Sequence, residues 1–165
     1  MVLSMNREST RSAFAESGAI VAGSQDHAAD ANPAAGGPIL FFDGVCGLCN
    51  RFVDFALPRD AGHALRFAPL QGETARRHLA TGDVESLKSL VLLDERGSYR
   101  YSSAVVRTLK HLGPGWKMLG TILWLVPRPL RDGGYRLVAA NRYRLFGKKQ
   151  ACRLPSPQER PRFLP

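Results

Sequence analysis

Two cysteines, three residues apart, follow directly after a short apolar segment. This pattern restricts the possible folds of the chain more than any other feature of its sequence. Residues 39–42, ILFF, lie between Gly-Pro and Asp-Gly pairs, which predicts a buried strand that ends in a turn. Apolar residues at steps of three and four then predict an amphipathic helix over residues 45–57. Cys46 and Cys49 therefore fall in the first turns of a helix that follows a strand, which is the layout of a dithiol redox site.

The position of Cys46 predicts a reactive thiolate. Unpaired backbone N–H groups and the positive end of the helix dipole stabilise an anion there. Thiols of CxxC loops at helix starts have pKa values of roughly 3.5 to 7.5, against about 8.5 for a free thiol. We expect Cys46 to be the nucleophile and Cys49, nearer the apolar stripe, to be the buried resolving thiol. Arg51 and Arg59 either add positive potential near the thiolate or belong to the solvated face of the helix.

Asp43 has two open interpretations. It is either a functional carboxylate that accepts a proton from the cysteine pair or hydrogen-bonds to it, or an N-terminal cap or Asx turn. The two roles are compatible, because a charge beside Cys46 alters the stability of the thiolate. A phosphatase site of the DxDG type is excluded, because Phe41 and Val45 leave it without its second carboxylate.

Length and composition predict one domain, since the chain has 165 residues of which 44% are hydrophobic. Residues 1–37, rich in Ala, Ser, Gly and Asp, predict a disordered leader before a domain over residues 38–165. Three cysteines cannot form a disulfide framework, which favours a reducing compartment. Residues 19–22 are too short for a signal peptide, and no apolar run reaches roughly 18 residues. We therefore predict a soluble, cytoplasmic protein.

The remaining elements alternate in type and predict a mixed sheet with helices on its faces. The predicted elements are a strand over 65–70, a helix over 73–80 ended by Gly82, strands over 87–93 and 98–101, and helices from Ser102 or Ser103 to Leu112, over 116–125 and over 134–145. With CxxC after the first strand, this order is similar to the thioredoxin fold in its glutaredoxin-like form: an α/β, four-stranded sheet with extra C-terminal helices.

Several segments together resemble the DCC family of predicted thiol-disulfide oxidoreductases, named for an Asp and two Cys, here Asp43, Cys46 and Cys49. The resemblance extends from about Ile39 to the end of the chain. It includes Arg59-Asp60, RFAPLQ at residues 66–71, YSSAV at 101–105, VPRPLRDGGY at 126–135 and NRYRLFGKK at 141–149. The resemblance implies a thioredoxin-like fold and reductase chemistry on protein or small disulfides.

The chain departs from thioredoxins before the third predicted strand. Thioredoxins and glutaredoxins carry a cis-proline there, facing the CxxC, whereas residues 85–89, ESLKS, contain no proline. Either another backbone segment presents the substrate, or the activity differs from that of a general disulfide reductase.

The resulting hypothesis is a protein-disulfide reductase in which Cys46 attacks and Cys49 resolves. No flavin or nicotinamide motif is present, so we expect no bound cofactor, only a redox-active disulfide between Cys46 and Cys49. The expected partners are a disulfide-containing protein or small molecule as substrate and an external thiol as reductant. The alternative is a non-catalytic binding module with structural or metal-binding cysteines and a basic tail that docks to an anionic partner; Cys152 is one candidate third ligand.

The C-terminal part of the chain is basic. Residues 128–165 hold ten Lys and Arg against Asp132 and Glu159, a net charge of +8 out of +9 for the whole chain. Because no motif that reads RNA or DNA is present, nucleic-acid binding is not favoured, and only weak contact with a membrane surface is expected. We expect a solvated tail whose truncation after Gly147 leaves dithiol exchange intact.

Overall fold

A four-stranded mixed sheet forms the centre of the fold. The computed structural model describes residues 34, 36–86, 89–151 and 154–165. Within these residues the strand order is β2-β1-β3-β4, with β1 parallel to β2 and antiparallel to β3, and β3 antiparallel to β4. The strands are β1 Ile39–Phe42, β2 Arg66–Pro69, β3 Val91–Asp94 and β4 Gly97–Arg100. The predicted α/β, thioredoxin-like class is confirmed.

The helices follow the predicted order, with different ends. They are α1 Gly47–Ala56, α2 Glu73–His78, α3 Thr81–Ser86, α4 Tyr101–His111, α5 Pro114–Leu125 and α6 Arg128–Phe146, with short 3₁₀ helices at Leu57–Arg59 and Arg160–Arg162. Gly82 does not end a helix, since it lies inside α3. The last helix begins six residues before its predicted start, because Pro129 lies in its first turn, where proline loses no helical hydrogen bond.

The side chains of β1 alternate between the two faces of the sheet, and the core therefore has two layers. Ile39 and Phe41 pack with residues of α2 and β3 on one face of the sheet, whereas Leu40 and Phe42 face the other. The second layer contains both cysteines and the buried sides of α1 and α4. All four residues of β1 are buried, as expected of a strand with neighbours on both edges. The end of β1 thus delivers the CxxC segment directly into the main core.

The chain after α6 returns to the sheet, in contrast to the predicted solvated tail. Phe163 stacks on Phe67 at 5.5 Å between ring centroids and meets Phe42 edge-on at 6.3 Å. Leu164 donates its backbone N–H to the carbonyl of Phe67 at 2.8 Å. The guanidinium of Arg162 pairs with the buried carboxylate of Asp60. The last residues are therefore part of the core packing.

Some predictions concern residues outside this description. The predicted leader, residues 1–37, is described only at Ala34, Gly36 and Gly37, and Cys152 is not described. None of the helices in the described part of the chain is both long and apolar enough to cross a membrane.

Candidate active site

Cys46 and Cys49 lie at the junction of β1 and α1. Cys46 is the N-cap residue of α1, with an extended backbone at φ −81° and ψ 120°, and Cys49 lies in the first turn. Both thiols are free. Cys46 has 0% of its surface exposed and Cys49 has 7%, so both are buried and Cys46 is the more completely covered.

The two thiols have opposite protonation preferences. A hydrogen bond from the Cys49 thiol lowers the pKa of Cys46 to about 6, although burial acts in the opposite direction. Backbone N–H groups of Cys49 and Leu48 and the charge of Arg142 act in the same direction as the hydrogen bond. That hydrogen bond, together with burial and the charge of Cys46, raises the pKa of Cys49. Near neutral pH the pair is therefore a thiolate at Cys46 and a thiol at Cys49.

Asp43 forms the Asx turn that the sequence offers as one interpretation. Its Oδ1 accepts a hydrogen bond from the backbone N–H of Val45 at 3.1 Å and another from Nε2 of Gln71 at 2.8 Å. It is not the N-cap of α1, because Cys46 occupies that position. The carboxylate thus fixes the turn that leads into the CxxC segment.

The second oxygen of Asp43 connects this turn to α6. Oδ2 accepts a hydrogen bond from the hydroxyl of Tyr143 at 2.5 Å and lies 3.6 Å from the guanidinium of Arg142. Burial and the hydrogen bond to Asp43 raise the pKa of Tyr143, so its hydroxyl keeps the proton that it donates. The charge of Asp43 raises the pKa of Cys49, and a hydrogen bond between the backbone of Asp43 and Cys49 lowers it. The carboxylate oxygens of Asp43 are themselves held by Val45, Gln71 and Tyr143.

Asn50 holds the turn from the other side. Its buried amide donates to the carbonyl oxygens of Gly44 and Cys46, each at 2.9 Å. The turn is consequently fixed by its own Asp43, by Asn50 of α1 and by Tyr143 of α6, with Gln71 beyond the end of β2.

A backbone segment after α6 covers Cys46. The backbone N–H of Gly47 donates to the carbonyl of Gly147 at 3.1 Å, and that of Lys149 donates to the carbonyl of Val45 at 2.8 Å. Cys46 and Lys148 form an antiparallel bridge. A methyl group at Gly47 would overlap the carbonyl oxygen of Phe146, so this close approach requires glycine. We call residues 147–149 the covering segment.

Thioredoxins carry a cis-proline directly before their third strand, and this chain has Leu90 directly before β3. Leu90 donates its backbone N–H to the hydroxyl of Tyr135 at 2.9 Å, and no cis peptide bond occurs among the described residues. Burial raises the pKa of Tyr135 to about 12, so the hydroxyl stays protonated. The backbone that pairs with the CxxC segment is the covering segment.

A cavity of about 250 Å³ opens beside Cys49, between α1, α4 and α6. Its walls are mainly apolar, with Tyr135 and Arg142 as polar members. The apolar lining consists of Leu48, Phe52, Leu90, Val105, Val138 and Ala139. Cys49 lines this cavity, and Cys46 does not.

The predicted helix start at Ser102 or Ser103 is corrected, because α4 begins at Tyr101. Ser102 and Ser103 do not cap α4, whose N-cap is Arg100; the hydroxyl of Ser102 bonds to Asp132 and accepts from Arg131 at 2.9 Å. The serines therefore join α4 to α6.

The cation that acts on Cys46 is Arg142 on α6, rather than Arg51 or Arg59. The guanidinium of Arg51 lies over the ring of Phe146 at 5.5 Å, and that of Arg59 over the ring of Phe55 at 4.1 Å. Both arginines thus contribute to packing around α1.

Four residues that build this site had no role predicted from the sequence: Gln71, Tyr135, Arg142 and Tyr143. Each lies inside a segment that carries the resemblance to the DCC family. Their position in those segments was the only sequence feature that could have indicated a role in the site, because the local pattern of apolar residues does not distinguish them. In the part of the chain that the structure describes, no three His, Cys, Asp or Glu side chains are grouped as a metal ion requires.

A match to a protein-family model determines the family of this chain. The model described as DCC1-like thiol-disulfide oxidoreductase matches residues 40–148, about two thirds of the chain. The chain belongs to this family. The match begins in β1 and ends within the covering segment, so it includes every side chain of the site described above.

Two curated relatives agree with the family. The chain is 39% identical over 129 residues to a Bacillus subtilis protein named uncharacterized protein YuxK, covering 77% of this chain and 93% of that protein. It is 36% identical over 119 residues to an Arabidopsis thaliana protein named DCC family protein At1g52590, chloroplastic, covering 71% and 69%. No solved structure shows significant similarity to the chain.

Proposed function

We propose that this protein is a disulfide reductase that works through dithiol exchange at Cys46 and Cys49. The observation that carries the proposal is the position of two free thiols at the N-terminal end of α1, where the pKa of Cys46 is lowered to about 6 and that of Cys49 is raised. A nucleophile that is ionised and a partner that retains a proton are what sequential exchange requires.

The reaction divides into two exchanges. The Cys46 thiolate attacks one sulfur of a substrate disulfide, forming a mixed disulfide and releasing the other sulfur as a thiolate, which takes a proton from solvent. The Cys49 thiol then loses its proton and attacks the sulfur of Cys46. The second substrate thiolate leaves and is protonated, so the substrate gains two electrons and two protons while Cys46 and Cys49 become a disulfide.

An external thiol of low molecular weight or a protein dithiol reverses these steps on the enzyme and restores the reduced pair. Asp43 is a positioning residue in this proposal. It holds the turn before Cys46, and its charge favours the protonated form of Cys49. Because Cys46 has no exposed surface, the chain around it must open before a disulfide reaches it, and we expect the covering segment, which pairs with Cys46, to be the part that moves.

A trapping experiment tests the assignment of roles. Cys49→Ser, made together with Cys152→Ser to remove the third thiol, is expected to form a stable mixed disulfide at Cys46 with a chromogenic aryl disulfide. Cys46→Ser in the same background is expected to form none, because the remaining thiol of Cys49 is buried and burial disfavours its ionisation. Intact-protein mass spectrometry and peptide mapping measure both adducts.

The Cys152→Ser protein with both site cysteines intact, treated identically, should release two aryl thiols per molecule and finish as an internal disulfide. Equal rates of disulfide reduction by both serine variants and the parent would contradict the proposal. A metal retained by the purified chain in place of a two-proton loss on oxidation would instead support the binding-module alternative.

A further inference from the structure

A second cavity lies along α6, next to the cavity that Cys49 lines. Its volume is about 390 Å³, which is within the range of sites that bind small molecules. The two cavities share three lining residues of α6, namely Tyr135, Ala139 and Arg142. They therefore adjoin at the side of the helix that carries its buried arginine.

The second cavity borders the part of the chain that holds Cys46. Arg142 and Tyr143 line it, and both contact the carboxylate of Asp43 in the turn before Cys46. The ammonium group of Lys148 lies 5.9 Å from the centre of the Tyr143 ring, and the backbone of Lys148 pairs with that of Cys46. A molecule in this cavity would therefore lie beside the covering segment, which we expect to move before Cys46 reacts.

The lining of the second cavity combines aromatic rings with positive charge. Tyr101, Tyr135 and Tyr143 supply the rings, and Arg136 and Arg142 supply the charge. No Asp or Glu is among the described residues that line either cavity. The cavity therefore favours an anionic ligand over a neutral or cationic one.

Arg136 is the cation of this cavity that a ligand can use. The charge of Arg142 is compensated by Asp43, whereas Arg136 is exposed and has no ion pair among the described residues. Asp132, one turn earlier on α6, is bonded to the hydroxyl of Ser102. A carboxylate that enters the cavity would therefore meet a guanidinium without a carboxylate of its own.

Tyr101 combines an unusual backbone conformation with a position in the cavity wall. Its φ is 55°, a left-handed conformation that is rare for an aromatic residue. Its ring lies edge-on to that of Tyr135 at 5.8 Å between centroids, and the guanidinium of Arg136 lies over it at 5.5 Å. Strained residues are concentrated at functional sites. Here the strained residue carries the ring that supports Arg136.

We propose that the second cavity binds the carboxylate-bearing part of a low-molecular-weight disulfide, with Arg136 as its recognition residue. This inference rests on the proposed function and specifies its substrate class. The tyrosine rings contact the aliphatic part of the molecule, and the guanidinium of Arg136 binds its carboxylate. The reaction at sulfur is the two-step exchange described above, in which the substrate gains two electrons and two protons while Cys46 and Cys49 become a disulfide.

Three model disulfides of similar length test this substrate class: dithiodipropionate, hydroxyethyl disulfide and cystamine, which are anionic, neutral and cationic. The reduced full chain is mixed with each, and mass spectrometry follows formation of the disulfide between Cys46 and Cys49. Each rate constant is divided by that of mercaptoethanol with the same disulfide, which removes differences in intrinsic reactivity. On this scale dithiodipropionate is expected to react at least about fivefold faster than hydroxyethyl disulfide, and cystamine more slowly than both.

Matched substitutions on α6 locate the recognition residue. Arg136→Gln is expected to lower the rate constant for dithiodipropionate by about three- to tenfold, and to affect that for hydroxyethyl disulfide less. Arg144→Gln removes the same charge from an exposed arginine that lines neither cavity, and should react like the parent. This control separates binding in the cavity from attraction by the net charge of the chain. Circular dichroism checks that both variants are folded.

Adipate, a dicarboxylate without sulfur, tests the cavity as a binding site. It should slow the reaction of the parent with dithiodipropionate, and slow that of Arg136→Gln less. Equal scaled rate constants for the three disulfides, equal losses in the two variants, or no effect of adipate would overturn this inference and leave the proposed dithiol exchange in place. Failure of all three disulfides to oxidise the reduced, folded chain would contradict the proposed function together with this inference.

Discussion

Arg142 is the residue through which α6 acts on the thiol pair. Its guanidinium lies 3.6 Å from the carboxylate of Asp43 and donates to the hydroxyl of Tyr143 at 2.9 Å. Its charge also lowers the pKa of Cys46. The side chain is buried with Asp43, so each ion compensates the other where water is excluded. A single residue, distant in sequence, therefore couples the stability of the site to the ionisation of the nucleophile.

The charge of Arg142 should be measurable in the pH dependence of alkylation. In the parent, the rate of iodoacetamide reaction at Cys46 is expected to rise with pH through about 6, where the thiolate forms, and then level off. Arg142→Gln removes the favourable charge and should move this midpoint upward by up to about one pH unit. Arg142→Lys keeps a positive charge and should move it less. Site-resolved mass spectrometry gives the rates.

The same midpoint in all three proteins would show that Arg142 has no electrostatic effect on Cys46. Thermal unfolding of each variant serves as the control, because loss of the partner of a buried carboxylate also destabilises the fold by roughly 3 to 5 kcal/mol. A change in melting temperature without a change in the midpoint would assign Arg142 a structural role alone.

At the scale of secondary structure, the covering segment completes the first turn of α1 with backbone groups from the far end of α6. Gly147 has φ 74°, a left-handed conformation that turns the chain sharply after the helix. The two hydrogen bonds to Val45 and Gly47 then hold the segment across Cys46. Because these contacts are made by the backbone, they depend on the glycines and on free N–H groups more than on side chains.

Removal of one of these N–H groups should expose Cys46. Lys149→Pro deletes the donor to the carbonyl of Val45, and we expect the covering segment to separate more often. Alkylation of Cys46 at fixed pH should then be several-fold faster than in the parent. Lys149→Ala keeps the N–H and removes only an exposed side chain, so its rate should equal that of the parent. Equal rates in both variants would mean that the segment is not the barrier to Cys46.

At the scale of the whole molecule, the chain closes on itself around the sheet. Segments far apart in sequence meet in pairs: Asp43 with Tyr143, Asp60 with Arg162, and Ser102 with Asp132. Asp60 also accepts hydrogen bonds from the backbone N–H groups of Ala64 and Leu65, directly before β2, so its ion pair links the last turn of the chain to the beginning of that strand. Truncation after Gly147 would remove Arg162 and Phe163, and we expect it to unfold the protein.

A point substitution measures this contribution without truncation. Phe163→Ala should lower the free energy of unfolding by about 2 to 3 kcal/mol, since it removes a partly buried ring that packs on Phe42 and Phe67. Leu154→Ala, at an exposed site in the same segment, should change it by less than about 0.5 kcal/mol. Urea unfolding followed by circular dichroism gives both values. A Phe163→Ala protein as stable as the parent would contradict the role of the C-terminal segment in the core.

The sequence by itself determined the parts of the protein that depend on local chemistry. The apolar run of β1, the Asp-Gly turn and the three-and-four spacing of α1 fix a strand, a turn and a helix start, and these place Cys46 and Cys49. The order of the predicted strands and helices was enough to predict the α/β class. Element ends were not determined in the same way: one helix was predicted over residues 73–80, whereas the structure has α2 and a second short helix, α3, because the sequence does not show how each turn packs on the sheet.

Only the tertiary structure decided what surrounds the thiols. Arg142, Tyr143 and the covering segment lie about a hundred residues from Cys46 in the sequence, and no local period relates the two regions. Their approach depends on the packing of α6 against α1 and α4, which is set by long-range burial rather than by propensity. The covered state of Cys46, the two cavities along α6 and the buried return of the last residues all follow from that packing.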